Sequence, residues 1–168
     1  CPKALGNVIR DDMSGELGIP KENILICSLH QHTCPAPSAA NYSKDFVESL
    51  KKAITLAYED RAPAEMYVNR TETKALNAVR RFWLNDGGFI TSHSSSGDRA
   101  SGFKAYEVEP DREMRLIKFT REGGKDVIIA NFQAHPQLTG GAKNYNLSAD
   151  YPGVFREVLG AQLNCHVH

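Results

Sequence analysis

Two short apolar runs, each leading into a histidine, place the strongest limits on how this chain can fold. The first is the run NILIC at residues 23–27, which leads into His30 and His32, and the second is VIIANF at 127–132, which leads into His135. Runs that are apolar on both faces are typical of strands covered on both sides of a sheet. We therefore predict a fully buried strand over 23–30 and a second one in a hairpin, MRLIKFT-REGGK-DVIIANF, that turns at Gly-Gly.

Two segments of the chain show the residue spacing of helices. Apolar residues recur at helical intervals over 2–17 and again over 43–60, where Ser43 is a candidate N-cap. Asp150 is the candidate N-cap of a short third helix, although it could instead orient a histidine as an outer carboxylate. We also expect strands at AEMYVNRTE and LNCHVH, and long polar loops at 84–112 and 136–149. The order predicts an α/β fold with a mixed sheet flanked by helices.

Length and charge narrow the class of protein. The 168 residues fit one α/β domain, and 20 basic against 20 acidic side chains leave no net charge. No basic run exceeds two residues, which argues against a nucleic-acid or anionic-membrane partner, and no apolar run is long enough for a transmembrane segment. The chain begins at Cys1 and stops within an expected strand, so we expect residues 1–168 to be the incomplete N-terminal part of a longer chain. The four cysteines form no C-x-x-C pair and are expected to be free thiols.

The spacing of the histidines suggests a metal site. Residues i and i+2 of an extended segment face the same way, with Cα atoms roughly 6.6 Å apart. Ligands of open α/β sheets collect outside the carboxyl ends of the strands, where His30 and His135 are both expected. These two are therefore candidate ligands of one metal ion, and the alternative is two unrelated hydrogen-bonded histidines. A catalytic zinc usually has three protein ligands, and no third candidate stands out in the pattern.

Four segments, in order, resemble the neutral/alkaline ceramidase family. ILICSLHQHTCPAP, with the helix and RAPAE after it, is similar to the family's strand ending in T-H-T-H-S-x-P. VRRFWLNDG resembles its N-R segment, IIANFQAHP its buried strand ending in H-P, and LSADYPG its S-x-D stretch. The sequence departs from the family at Leu29, Cys34 and Val79, which stand where Thr, Ser and Asn are usual, so that Arg80 and Arg81 both remain candidates for the family's Arg.

The resemblance implies a zinc-dependent amidase that cleaves the N-acyl bond of ceramide into a fatty acid and sphingosine. On this resemblance His30 and His135 are zinc ligands, His32 is a polar catalytic group beside the metal, and Arg80 steadies the oxyanion. The family's remaining ligands, a Glu and a Tyr, are expected beyond residue 168 in the remainder of the parent chain. This chain alone would then hold half a zinc site and be inactive, and the parent would be secreted, periplasmic or on the cell surface.

Other readings of the pattern stay open. The histidines could be structural parts of a non-catalytic fragment, or the chain could belong to a related hydrolase that acts on a non-lipid amide or ester. His166 and His168 repeat the H-x-H spacing, Cys34 could be a nucleophile, and Trp83 with Phe82 could line an acyl pocket. For each of these five residues the simpler expectation is a structural or solvated side chain, and the same holds for His93 in its polar loop.

Overall fold

The computed structural model describes residues 3–36, 42–74, 76–91, 102–139 and 146–168. Over these ranges the chain forms three α-helices, one 3₁₀ turn at Lys21–Asn23 and seven strands. The helices are α1 (Lys3–Leu17), α2 (Ser43–Glu59) and α3 (Asp150–Leu163). The strands are β1 (Ala64–Glu72), β2 (Arg81–Leu84), β3 (Phe89–Thr91), β4 (Phe103–Tyr106), β5 (Glu113–Arg121), β6 (Val127–Phe132) and β7 (His166–Val167).

The strands form two sheets, one mixed and one antiparallel, and the α/β fold is as predicted. The mixed sheet has the order β1-β5-β6-β7, and the antiparallel sheet has the order β3-β2-β4. The backbone N–H of His168 donates to Ile128, and its carbonyl accepts from Ala130, which is the pattern of a parallel pair. The connection from β6 to β7 through α3 is therefore a β-α-β crossover.

The chain divides into two compact units, which we describe separately. The first comprises Cys1–Glu65, Phe119–Val127 and His135–Val167, and the second comprises Met66–Lys118, Ile128–Ala134 and His168. The fully buried core of the first unit is centred on Ile9 and Met13 of α1. These two residues lie four apart and therefore share one face of the helix. In the second unit Leu84, Ile90 and Ile128 are buried.

Most of the predicted elements are confirmed. The helices over 2–17 and 43–60 are α1 and α2, the segment AEMYVNRTE is β1, and the predicted hairpin is formed by β5 and β6. In the first unit α1 packs on α2, and Lys51 of α2 reaches back to Asp12 and Glu16 of α1 at 3.1 and 3.0 Å. These ion pairs raise the pKa of Lys51, Glu16 being the larger cause.

The predicted buried strand over 23–30 is wrong. Residues 24–31 adopt no regular structure, Leu25 is 86% exposed and Leu29 is 66% exposed. An apolar run becomes a strand only where another strand supplies hydrogen-bond partners, and the described residues supply none beside this one. The segment is instead held from α1, where Arg10 Nε donates to the carbonyl of Ile24 at 3.0 Å.

Three further expectations need correction. Residues 84–112 are not one long loop, because β3 and β4 lie within them, while 92–101, including His93, lie outside the described residues. Neither predicted N-cap residue occupies that position, since Ser43 and Asp150 are already helical and the caps are Tyr42 and Ala149. The loop predicted over 136–149 is irregular where it is described, at 136–139 and 146–149.

Two smaller expectations concern membrane spans and cysteines. No helix among the described residues is long and apolar enough to cross a membrane. Cys27, Cys34 and Cys165 are free thiols, as predicted, while Cys1 lies outside the described residues.

Candidate metal centre

Three histidine side chains of the first unit face one another in a nearly equilateral triangle. The ring centroids of His30, His32 and His135 are 4.8, 4.8 and 4.7 Å apart, and the rings are inclined to one another by 56–63°. The Nε2 atoms of His32 and His135 are 3.1 Å apart, and one ligand atom from each of the three residues lies within 4.8 Å of the others. Within the described ranges, no other set of three or more His, Cys, Asp or Glu side chains is this close. The triangle can hold a metal ion.

The predicted distance between the candidate ligands is confirmed, but the predicted backbone conformation at His30 is not. Nitrogens of His30 and His135 were expected within roughly 3–5 Å of each other if both ligate one tetrahedral zinc, and they lie within 4.8 Å. His30 is not the end of a strand, because its φ of 55° places it in the left-handed region, and residues 32–34 form a bend. A non-glycine residue in that region is uncommon, and such residues concentrate at binding sites.

His135 reaches the triangle from the segment that follows β6. The strand ends at Phe132, and the next residues are irregular, with the N–H of Gln137 donating to the carbonyl of His135 at 3.0 Å. Pro136 is buried directly after the histidine, whose own side chain is exposed. All three histidines are exposed, so the triangle is open to water and to a small molecule.

Hydrogen bonds of the Gln31 and Thr33 side chains hold the segment that carries His30 and His32. The carboxamide Oε1 of Gln31 accepts from the N–H of Thr33 at 2.7 Å, and its Nε2 donates to the carbonyl of Ser148 and lies against Thr33 Oγ1. Thr33 Oγ1 also donates to the Ser148 carbonyl at 2.9 Å, and the N–H of Ser148 donates back to Thr33 O at 3.3 Å. The segment carrying His30 and His32 is thereby joined to the residues preceding α3.

A second set of hydrogen bonds, centred on a buried carboxylate, contacts the segment that follows His135. Asp150, only 4% exposed, accepts from the N–H and the hydroxyl of Thr139 at 2.8 and 2.9 Å and from the N–H of Tyr151 at 2.6 Å. Burial raises the pKa of Asp150, but the hydrogen bonds from Thr139 and Tyr151 together lower it by a larger amount. The net result is a pKa below the ordinary value. Asp150 also has a positive φ, 53°.

The other candidate residues lie elsewhere or keep local contacts. Cys34 places its Sγ 3.8 Å from the carbonyl of Gln31 and is not part of the triangle, nor are His166 of β7 and His168 just after that strand. In the second unit, Arg80 is exposed and directly precedes β2, and Arg81 pairs with Glu107 at 2.7 Å.

Aromatic residues form a separate cluster on the small sheet of the second unit. Trp83 packs against Phe89 at 4.7 Å between ring centroids, and Phe82 packs against Phe103 at 5.7 Å. These contacts account for the aromatic pair as packing residues of β2. Their alternative role in an acyl pocket has no further support from these contacts.

The second unit has a polar depression of about 610 Å³ on its surface. It is lined by 70–72 and 109–113. Arg70 pairs with Glu113 at 3.0 Å, and Arg115 pairs with Asp111 at 2.7 Å, an ion pair whose hydrogen bond lowers the pKa of Asp111. These are the contacts of a surface ion-pair network, and they give no pointer to a ligand.

Comparison of the chain with protein-family models and with curated proteins found no match. The evidence for a site is therefore the geometry of the three histidines. That geometry adds one thing that the sequence reasoning missed, which is that His32 is close enough to be a third metal ligand. The signal was available in the two-residue spacing of His30 and His32, since a catalytic zinc commonly takes three protein ligands.

Proposed function

We propose that this chain carries the metal site of a zinc-dependent, ceramidase-like hydrolase that cleaves an N-acyl amide bond. The observation that carries the proposal is the triangle of His30, His32 and His135, all exposed and with ligand atoms within 4.8 Å of one another. The four segments that resemble the ceramidase family supply the reaction class, and two of them contain these three histidines.

The donor set fits zinc. Zinc binds imidazole nitrogens at roughly 2.0–2.1 Å in a tetrahedral arrangement, which sets neighbouring ligand nitrogens about 3.3 Å apart. The nitrogens of the proposed ligands His30 and His135 lie within 4.8 Å of each other, a distance compatible with one shared ion. Imidazole ligands also suit copper, iron and nickel, so the choice of zinc rests on the resemblance.

In this proposal His30 and His135 hold the metal, and His32 is the neighbouring group that moves protons. When zinc is bound, it supplies Lewis acidity towards an amide carbonyl and a lowered pKa for water. An imidazole beside the metal can take a proton from the attacking water and return it to the leaving amine. The nitrogen of His32 lies 3.1 Å from that of the proposed ligand His135, which places it beside the metal position.

The proposed substrate is a small molecule with an acyl chain. Leu29 directly precedes His30, Leu138 follows His135 by three residues, and Leu147 directly precedes Ser148. These leucines are 66%, 80% and 76% exposed, respectively. Exposed apolar side chains in the segments that carry a polar site suit a lipid-like ligand better than a fully polar one.

The role of Arg80 in steadying the oxyanion rests on the resemblance of VRRFWLNDG alone. Arg81, whose guanidinium donates to Glu107 at 2.8 Å, remains the other candidate. Comparing the turnover of Arg80→Ala with that of Arg81→Ala tests the choice. Loss of one oxyanion donor costs roughly 10²-fold or more in turnover.

The proposal is tested by metal binding and by hydrolysis. Zinc and cobalt binding are measured on this chain by calorimetry and by cobalt absorption. Hydrolysis is measured on the longer protein that the resemblance implies, because two further ligands are expected beyond residue 168.

We expect zinc-dependent release of fatty acid from N-acyl amides, with kcat/KM rising with acyl length and lost on chelation. Failure of the longer protein to retain zinc, or hydrolysis that survives chelation, would contradict the proposal. A preference for short amides or esters would favour the alternative hydrolase.

A further inference from the structure

We propose that Gln31 and Asp150 are positioning residues that hold the two histidine-bearing segments in register for metal binding. The inference rests on the proposed metal site and adds to it the groups that hold the ligands in place. Neither residue is one of the three histidines. Both act through hydrogen bonds to residues that precede α3 in the chain, Ser148 and Thr139.

The two segments need such support because neither lies in a helix or a strand. Residues 24–36 and 133–139 are irregular, and His30 adopts a left-handed backbone conformation. Fixing the backbone of an irregular segment costs conformational entropy for every residue that is ordered. A metal that had to order both segments by itself would therefore bind more weakly.

Gln31 secures the first segment with both ends of its carboxamide. It lies between His30 and His32, and its Oε1 accepts the N–H of Thr33 at 2.7 Å. Its Nε2 donates to the carbonyl of Ser148, far away in sequence, and that carbonyl also accepts from Thr33 Oγ1. The side chain therefore fixes the turn between the two histidines and attaches that turn to 148.

Asp150 secures the second segment from the same short stretch of chain. Its Oδ2 accepts both donors of Thr139, four residues after His135. Its own N–H donates to Ser148 Oγ at 3.0 Å. Ser148 thus accepts from Gln31 through its carbonyl and from Asp150 through its hydroxyl. A continuous set of hydrogen bonds runs from the H-x-H segment to the H-P segment.

Side chains that orient metal ligands from outside the coordination shell typically change metal affinity by 10–100-fold when they are mutated. We therefore expect Gln31→Ala and Asp150→Asn to raise the Kd for zinc and cobalt at least tenfold. Asn matches Asp in size but has only one acceptor oxygen. It cannot accept from both Thr139 and Tyr151 as the carboxylate does.

Two controls separate positioning from general loss of stability. Asp126→Asn changes another carboxylate of the same unit, one that accepts the N–H of Arg121 at 3.2 Å in the β5–β6 turn. It should lower Tm yet leave the metal Kd within about twofold of wild type. The pair Thr139→Ser and Thr139→Val keeps or removes one hydroxyl donor at nearly constant size. Serine should bind metal as wild type does and valine more weakly, and this pair decides the matter if Asp150→Asn does not fold.

The outcomes distinguish failure of this inference from failure of the proposed function. If wild type binds zinc and the Gln31, Asp150 and Thr139→Val variants bind it equally well, the positioning role is wrong and the metal site stands. If neither this chain nor the longer protein binds zinc or cobalt, the proposed function fails. Proton NMR of the metal-free protein then decides the inference alone. A nuclear Overhauser effect between the rings of His32 and His135 should be present in wild type and lost in Asp150→Asn, and its persistence in that variant would overturn the proposal.

Discussion

At the scale of single residues, the two-residue spacing of His30 and His32 correctly indicated that their side chains lie close together. The extended backbone that was inferred from this spacing is wrong. An extended backbone would have placed both imidazoles on one face with their Cα atoms roughly 6.6 Å apart. The left-handed conformation of His30 and the bend after Gln31 instead bring the rings to 4.8 Å between centroids. A pattern of residue types shows which side chains are available, whereas the turn that brings them together depends on hydrogen bonds from Gln31 and Thr33 to Ser148, which is distant in sequence.

The first prediction separates the roles of the three histidines. In the longer protein that the resemblance implies, His30→Ala and His135→Ala should lose both zinc retention and hydrolysis, because each removes a proposed ligand. His32→Ala should keep zinc and lower the turnover number by roughly 10²-fold or more, the range for a lost acid–base group. Zinc content and turnover are measured on the same preparations. Loss of zinc from His32→Ala with its retention in His30→Ala would reverse the assignment. Loss from all three would make His32 the third ligand.

The second prediction concerns acid stability and Asp150. Its pKa in the folded protein lies below the ordinary value because the hydrogen bonds from Thr139 and Tyr151 outweigh the effect of burial. A carboxylate of this kind contributes stability above its unfolded pKa of about 3.9, and the contribution is lost as pH falls through the folded pKa. Asp150→Asn should therefore lower Tm at pH 7 and show a smaller further drop between roughly pH 5 and pH 2.

The control for this prediction is Asp45→Asn in the first turn of α2, where the carboxylate is exposed. This variant should keep the acid sensitivity of wild type. Asp111, whose pKa is also lowered, is unchanged in both variants and contributes equally. Equal Tm drops for wild type and Asp150→Asn on acidification would show that Asp150 does not contribute.

At the scale of secondary-structure elements, local pattern predicted those elements whose partners are close in sequence. The helices α1 and α2 have sustained helical spacing, and β5 pairs with β6 across a short glycine turn, so that each carries its own signal. The run at 23–30 failed because burial of an apolar strand depends on a partner strand, which periodicity cannot identify. The small sheet was missed although its hairpin signal was present. Residues 85–88 read Asn-Asp-Gly-Gly between two apolar stretches, and Gly87 takes a φ of 85° at that turn.

The third prediction concerns a glycine in the first turns of α3. Replacing glycine by alanine inside a helix usually stabilises it by up to about 1 kcal/mol. At Gly153, however, a Cβ would lie 2.4 Å from the Cβ of Ala149, well inside the roughly 3.5 Å of a carbon–carbon contact. Gly153→Ala should therefore destabilise the protein by about 1–3 kcal/mol, as overpacking does. Thermal unfolding followed by circular dichroism measures the effect.

Two variants make this test specific. Gly15→Ala is the same substitution in α1, where a Cβ would meet nothing within 4 Å, and it should be neutral or stabilising. Adding Ala149→Gly to Gly153→Ala removes the clashing methyl group and should recover most of the loss. A Gly153→Ala protein as stable as Gly15→Ala would show that the start of α3 relaxes at no cost.

At the scale of the whole molecule, the described residues bury little apolar surface. The buried hydrophobic side chains among them are Ile9, Met13, Leu84, Ile90, Ile128, Cys165 and Val167. Met66, Tyr67 and Val68 of β1 are between 53% and 70% exposed, and Val154 and Val158 of α3 are at least half exposed. Because apolar burial is the main favourable contribution to folding, we expect the free energy of unfolding of the isolated chain to be small. Stabilisation by a bound ligand should then be a large fraction of the total.

The last prediction follows from this small stability. A ligand that binds only the folded state stabilises it by RT ln(1 + [L]/Kd), which is about 2.7 kcal/mol at a hundredfold excess over Kd. For a chain of this length each kcal/mol shifts Tm by roughly 2–4 °C, so zinc at that excess should raise Tm by about 5–10 °C. His30→Ala at the same zinc concentration should show a much smaller shift, while Gly15→Ala should show the full one. The shift in wild type should also grow with the logarithm of zinc concentration, because it reports occupancy of a site. A rise of equal size in His30→Ala and His135→Ala would mean that zinc binds outside the histidine triangle.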